Sequence, residues 1–502
     1  MPTIVTRASK GSPLTWVEAD NNFKNLNYST SISVKDSAYG AKGDGITDDT
    51  AAIQAAIDSL GADGGIVSCI GKFYIASNLY VKPSVFLVGS FDMPGKPTVD
   101  SGTFTDYTLI SSSIRLASTA TISVQSGAGL RGLLIYRYGM TFPAPNTTSF
   151  AGTAVTATGD DVSVIKCMIM GFNKAILSSG VARIRVEYLY HDNINGIEIT
   201  NCNDIPYLTN CHAWPWSTVA TLGDHTVNER TGIAYYIHDF VDWARITTCF
   251  CYGYATGFKV QDANSAIFLG CGADNTYNSV PQHVGSVGFS VAGDSHETKL
   301  LGCQAAAQDL AGIIINVTAG ITTIISQQST WSGNLHGVLV QSGDVSMMGG
   351  QIRNIKSGVT ITNAISNVYI NGVTFTDIVT LPITAQVSTS LVHQYNNIYS
   401  NFTGNPMSST VTPPSIASSA AVFLPNNGST FIITGTTNFG TLGYGWMGRE
   451  VMLIFTGVLG IFNGTGSVTD IKLSGGAGLT TSAGSVLLLK HTGVQWYETG
   501  RL

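Results

Sequence analysis

A small residue followed by a bulky apolar one recurs nine times between residues 154 and 359, and this ladder limits the fold more than any other feature of the chain. The pairs are Ala154-Val155, Ala175-Ile176, Gly196-Ile197, Gly232-Ile233, Gly257-Phe258, Gly288-Phe289, Gly312-Ile313, Gly337-Val338 and Gly358-Val359, at steps of 21, 21, 36, 25, 31, 24, 25 and 21 residues. A period in the low twenties is too short for helix-pair repeats and suits one turn of a β-solenoid. The two long steps are insertions, which in a solenoid become surface loops, often on the binding face.

Composition agrees. Charged residues make up 11% of the chain, against roughly 25% in ordinary domains, and glycine numbers 56. Exposed helix faces need Lys and Glu, so this profile favours short strands and tight turns; the 44% apolar fraction excludes disorder. A net charge of −6 provides no basic field for nucleic acid or an acidic membrane. The eight cysteines form no CxxC pair and several share one phase of the repeat, so they read as small core residues. HExxH, GxSxG and P-loop motifs are absent and the histidines are irregularly spaced, so no metal or cofactor is expected. The opening MPTIVTRASKGSPLTW lacks an apolar signal core, and no apolar run reaches the ~18 residues of a membrane span. The chain is therefore expected to be made in a cytoplasm and to stay out of membranes.

Three regions differ in pattern. In residues 1–30, Pro13 precedes an expected short helix with Leu14, Val17, Phe23 and Leu26 as its apolar stripe. Residues 31–407 hold a second helix, with Thr47 as expected N-cap and Ala52, Ile53, Ala56, Ile57 and Leu60 on one face, followed by the strand repeats it would cap. From about residue 408 a Ser/Thr/Pro linker leads to alternating strands with Gly/Asn turns, expected to form a β-sandwich over 408–502.

Tyr39-Gly40-Ala41, Gly43-Asp44-Gly45, Thr47-Asp48-Asp49-Thr50 and the Ala/Ile/Gln helix after them resemble the start of the pectate-lyase-like right-handed β-helix superfamily as it occurs in bacteriophage tailspikes. The segment KGSPLTWVEADNNFKNLN is similar to particle-attachment segments of tail proteins. The resemblance implies an all-β fold, a right-handed parallel β-helix with an N-terminal capping helix and a C-terminal module for trimerisation or sugar binding. It also implies a homotrimer in the virion tail, joined to the tail or an adaptor through residues 1–30, that acts on a bacterial surface polysaccharide.

A second column, Cys167, Glu187, Cys211, Cys249, Cys271 and Cys303, is expected to face inward, although Glu187 fits poorly and the phase there can slip. Strand alternation then turns positions +1 and +3 outward, including Tyr188, Tyr190, His212, Trp214 and Tyr252. With Trp216, Arg230 and Tyr254 these are the candidate glycan-binding residues, because ring faces suit the apolar faces of pyranoses. The 36-residue step brings Trp214, Trp216, Asp224, His225, Glu229 and Arg230, and the 31-residue step brings Asp274 and Tyr277. Glycosidic hydrolysis usually needs two carboxyl groups, and Glu229, Asp239, Asp242 and Asp274 are the candidates. Asp239-x-x-Asp242 after Glu229 is similar to the acid clusters of endo-acting tailspike hydrolases. Against Asp242, a row of Asp160, Asp204, Asp242 and Asn264 lies seven residues before column cysteines, as repeated Asx-turns would. Endo-glycosidic hydrolysis is the expected activity. A lyase with His212 or Tyr190 as base and Arg230 or Arg245 on a sugar carboxylate is the alternative, and a non-cleaving adhesin the third.

Overall fold

The structure, a computed structural model, describes all residues except 1–4, 20–21, 23–30, 93–105, 219–228, 276–282, 331–334, 364–365, 386–390, 402–406, 410–412 and 426–428. The chain divides into two compact units, Met1–Thr384 with Gln394–Ser408, and Ala385–His393 with Ser409–Leu502.

The first unit is a right-handed parallel β-helix. Each turn of chain contributes one strand to each of three parallel ladders. Face A contains Lys174–Ser179, Asn195–Thr200, Arg230–Asp242, Tyr254–Asn264 and Val287–Gly293. Face B contains Arg185–Glu187, Tyr207–Thr209, Arg245–Thr247, Ile267–Leu269 and Lys299–Leu301. Face C contains Met168–Met170, Tyr190–Asp192, His212–Ala213, Phe250–Tyr252, Gly272–Asp274 and Gln304–Ala306. The strands Ala311–Thr330 and His336–Ile355 each pass over all three faces.

The ladder of the sequence is the inward row of face A, where Ile176, Ile197, Phe258, Phe289, Ile313 and Val338 lie in register. Its glycines are required by close approach: a Cβ on Gly257 or Gly288 would stand 2.7 Å from the carbonyl oxygen of the next turn. One rung differs from expectation. Tyr235, not Ile233, pairs with Ile197 and Phe258, so Ala234-Tyr235 takes the place of Gly232-Ile233. The core accepts the larger ring because it stacks on Phe258 at 4.7 Å and donates its hydroxyl to the Phe250 carbonyl at 3.0 Å.

The capping helix spans Thr50–Ser59 and buries Ile53, Ala56 and Ile57. Its N-cap is Asp49 rather than Thr47, which lies in a strand. Asp49 accepts the backbone N–H groups of Lys42 and Gly43 at 2.6 and 3.0 Å and thereby folds the glycine-rich segment back. Residues 16–19 are helical with Trp16 and Val17 exposed, whereas Phe23 and Leu26 lie outside the described residues. All eight cysteines are free and buried. No helix among the described residues is long and apolar enough to cross a membrane.

The second unit has its own core, including Phe431, Leu453, Leu487 and Trp496. It is built on a six-stranded sheet with two separate two-stranded ladders. The sheet is mixed: Ser415–Ala417, Thr430–Thr434 and Glu450–Phe455 pair in parallel, and Val486–His491 joins antiparallel. The antiparallel pairing of a simple sandwich is thus replaced over half of the sheet.

Candidate functional site

Face C owes its exposed rows to the turn before it. Lys166, Tyr188, Asn210, Thr248, Gly270 and Gly302 all have φ between 50 and 62° and end the strands of face B. Each turns the chain so that the next residue points inward, giving the buried series Cys167, Leu189, Cys211, Cys249, Cys271 and Cys303. Leu189, not Glu187, therefore belongs to this column; Glu187 pairs with Ile165 and Thr209 on face B. The two-residue correction moves Tyr188 into the turn, where it is exposed, and reassigns the outward rows. One is Met168, Tyr190, His212, Phe250, Gly272 and Gln304. The other pairs Met170 with Asp192 and Tyr252 with Asp274.

The lower turns of this face are roofed. Met168, Met170 and Trp216 join Tyr107, Tyr136 and Phe150 in a satellite core, with Tyr190 and Trp214 packed at its margin. The roof is fixed by a buried ion pair between Asp192 and Arg230, 2.6 Å apart and both fully enclosed. Asp192 also accepts the Ser217 N–H at 2.7 Å, and Arg230 donates to the Thr218 hydroxyl at 2.8 Å. Three expected glycan-binding residues are thereby structural: Arg230 is spent on Asp192, Trp216 is buried, and Tyr254 is buried with its hydroxyl on the Asn193 carbonyl at 3.0 Å. His212 sits among the rings of Tyr190, Trp216 and Phe250, and burial pushes its imidazole down to about 4.

Higher on the face the wall opens. Gly272, which bears no side chain between Phe250 and Gln304, lies at the wall of a cavity of about 280 Å³ lined by Phe250, Gly272, Asp274, Gln304 and Ala306 among others. Burial raises the Asp274 carboxyl to about 6, against the opposing effect of the Asn275 N–H it accepts at 2.8 Å. Tyr252, beside it, is pushed up to about 12 by burial and by the charges of Asp274 and Glu229. Arg230 pairs with Tyr254, and Tyr252 with Asp274, so Glu229 lies one turn below Tyr252 and Asp274 one turn above. The structure thus brings Glu229, Tyr252 and Asp274 together at one edge of face C.

Asp239 and Asp242 are elsewhere. Both end the face A strand, and Asp242 pairs with Asn264 at the corner towards face B. In the same row Asp160 accepts the Ala182 N–H of the next turn at 2.8 Å and Asp204 accepts from Arg183 of the turn before at 2.7 Å, so these two acids bind across turns. Asp239 lies 2.8 Å from His238, whose other nitrogen is 3.5 Å from Glu198. Glu198, absent from the sequence candidates, is placed there only by register. Phe250, Gly272 and Gln304 stood in the outward set but signalled nothing by themselves, since a gap is visible only beside its neighbours. Asp224, His225 and Tyr277 lie outside the described residues.

Residues 31–275 match the family described as Rhamnogalacturonase A/epimerase, pectate lyase-like. The pectate-lyase-like resemblance of the sequence holds over that span, which ends on the turn carrying Asp274. Similar solved structures include the Azotobacter vinelandii mannuronan C-5 epimerase AlgE4 A-module, with 17% identity over 76% of this chain and 99% of that one and a TM-score of 0.47. The catalytic unit of a thermostable GH87 α-1,3-glucanase from Streptomyces thermodiastaticus has 14% identity over 76% and 69% of the two chains, with a TM-score of 0.47. ORF18 of Geobacillus virus E2 has 14% identity over 97% and 78%, with a TM-score of 0.38. No curated protein matches the sequence.

Proposed function

We propose that this chain is a bacteriophage tailspike, a homotrimer attached through residues 1–30, that depolymerises a bacterial surface polysaccharide by endo-glycosidic hydrolysis. The observation that carries the reading is Asp274, a carboxyl raised to about 6 at the wall of an open cavity. Such a group is still partly protonated near neutrality and is suited to protonate a glycosidic oxygen. The match to a family described by a rhamnogalacturonase and an epimerase supports a carbohydrate substrate.

Glu229 is the base in this scheme. Two turns at roughly 4.8 Å each separate its backbone from that of Asp274, with Tyr252 between them. A spacing of that order leaves room for a water and favours inversion, for which carboxyl groups stand ~6.5–9.5 Å apart. Phe250 offers a ring face to the sugar, and Gln304 its amide.

Hydrolysis is favoured over elimination by the cavity's charge. A lyase must neutralise a uronate carboxylate, and no described residue lining the cavity is cationic. Arg230 is held by Asp192, and His212 is enclosed by rings.

The test is depolymerisation of host polysaccharide followed by size-exclusion chromatography and mass spectrometry. Asp274→Asn and Glu229→Gln each abolish the fall in polymer size while Asp239→Asn leaves it intact. Products absorbing near 230 nm would show elimination and overturn the hydrolase.

A further inference from the structure

We propose that the segment Tyr444–Arg449 of the second unit is a binding platform for a pyranose ring bearing a carboxylate, a site independent of the Asp274 cavity. The segment is clamped from beneath. Tyr444 has φ of +61°, and Gly445 lies so close to the His491 ring that no Cβ would fit. The Gly448 N–H donates to the His491 carbonyl at 2.7 Å, and the Arg449 N–H to the Trp446 carbonyl at 3.0 Å. Arg449 is buried, and its guanidinium donates to the carbonyls of Tyr444 and Pro425.

This fixed backbone holds rings in water. Tyr444 is 56% exposed, Trp446 49% and Met447 80%, and Phe423, itself 59% exposed, meets Tyr444 edge-on at 5.7 Å. The backbone beneath these rings is held by its own hydrogen bonds and by the packing of Gly445 on His491, which lowers the cost of ordering them on binding. Tyr and Trp combine an apolar face with a polar edge, the pairing a sugar ring requires.

Charge selects among sugars. The Arg449 guanidinium stands 4.3 Å from the Trp446 ring centroid and 5.9 Å from that of Trp496. Its partners are carbonyls and rings; the adjacent Glu450 pairs with Lys490 at 2.7 Å. With the cation on one face of Trp446, the face left to the ligand is the opposite one. No acidic side chain among the described residues forms an ion pair with it; a buried charge acts through a medium that screens it poorly, so a carboxylate on the stacked sugar is attracted across the indole.

The probes are methyl β-glucuronide and methyl β-glucoside, single-ring glycosides that offer no internal bond to an endo-acting enzyme, so their binding is read independently of cleavage. Saturation-transfer NMR on the full-length protein is expected to show the glucuronide bound more tightly, by a margin that shrinks with added salt. Trp446→Ala weakens it by about ten-fold or more, as loss of a central aromatic contact does; Trp446→Phe, which keeps a ring, retains most of it. Asp274→Asn leaves it unchanged. Equal binding of both probes, or glucuronide binding that survives Trp446→Ala, overturns the proposal. So does a change in sedimentation on Trp446→Ala, which would mark the platform as a contact between copies of the chain.

Discussion

Replacing Asp274 by Asn is expected to make the protein more stable while destroying its activity. The folded carboxyl ionises at about 6, against 3.8 for the free group. At ~1.4 kcal/mol per pH unit that gap corresponds to about 3 kcal/mol, an upper figure because the cavity is open to solvent. The sign follows from an acid whose value is raised by folding. Its stability contribution is complete below pH 3.8, is lost as the pH rises through 6, and stays lost above that. Asn keeps the shape and the oxygen that accepts the Asn275 N–H, and it never ionises. At pH 8 the variant gains up to about 3 kcal/mol over the native chain, and near pH 4 almost nothing. Amide exchange provides the assay, because it reports local opening without requiring reversible unfolding. The Gly253 N–H, bonded to the Asp274 carbonyl at 3.2 Å, is the reporter. Its opening in the variant should be rarer by up to roughly two orders of magnitude at pH 8. Equal protection at pH 8, or the same gap at pH 4.5, would refute an ionisable Asp274 held in a desolvated wall.

Depolymerase activity should fall about ten-fold per pH unit above 6, since the acid must be protonated; a flat rate from pH 5 to 8 removes Asp274 from that role. Gly272→Leu puts a side chain at the cavity wall and should abolish cleavage; its φ is not positive, but a Cβ stands 2.9 Å from the Phe250 ring, which must shift to admit it, and thermal melting alongside the cleavage assay separates a lost site from a lost fold. Arg230→Met, which leaves Asp192 buried and unpaired, should cost about 3–5 kcal/mol, and Asp192→Leu with Arg230→Met should recover much of it, both read from melting curves. The thiols of Cys69 and Cys167, pushed up to about 12 by burial, should resist thiol reagents at pH 8 until the chain is unfolded.

The architecture was legible because one inward residue per turn repeats, and its small neighbour is enforced by the carbonyl of the next turn. The two misplaced rungs share a cause. Strands alternate with period two, so a slip of two residues preserves every inward and outward assignment that parity can test. Glu187 for Leu189, and Ile233 for Tyr235, are such slips, and pairing partners alone distinguish them. The site residues were legible only as candidates. Asp274 and Glu229 stood out because they lie in the two long steps, and Asp239, close to Glu229 in sequence, lies on another face in space. Arg230 and Trp216 have the composition of a binding loop and the burial of its foundation. The cavity was unreadable, since it is an absence at Gly272 framed by residues 22 positions earlier and 32 later.

The Asp192 carboxylate anchors the loop of the 36-residue step at both of its feet: it accepts from Ser217 on one side and pairs with Arg230 on the other, and Arg230 donates to Thr218. Both ends of the loop are therefore set by one carboxylate of the solenoid wall. A substitution confined to the residues between the feet leaves that anchorage untouched, whereas one at Asp192 releases both ends at once.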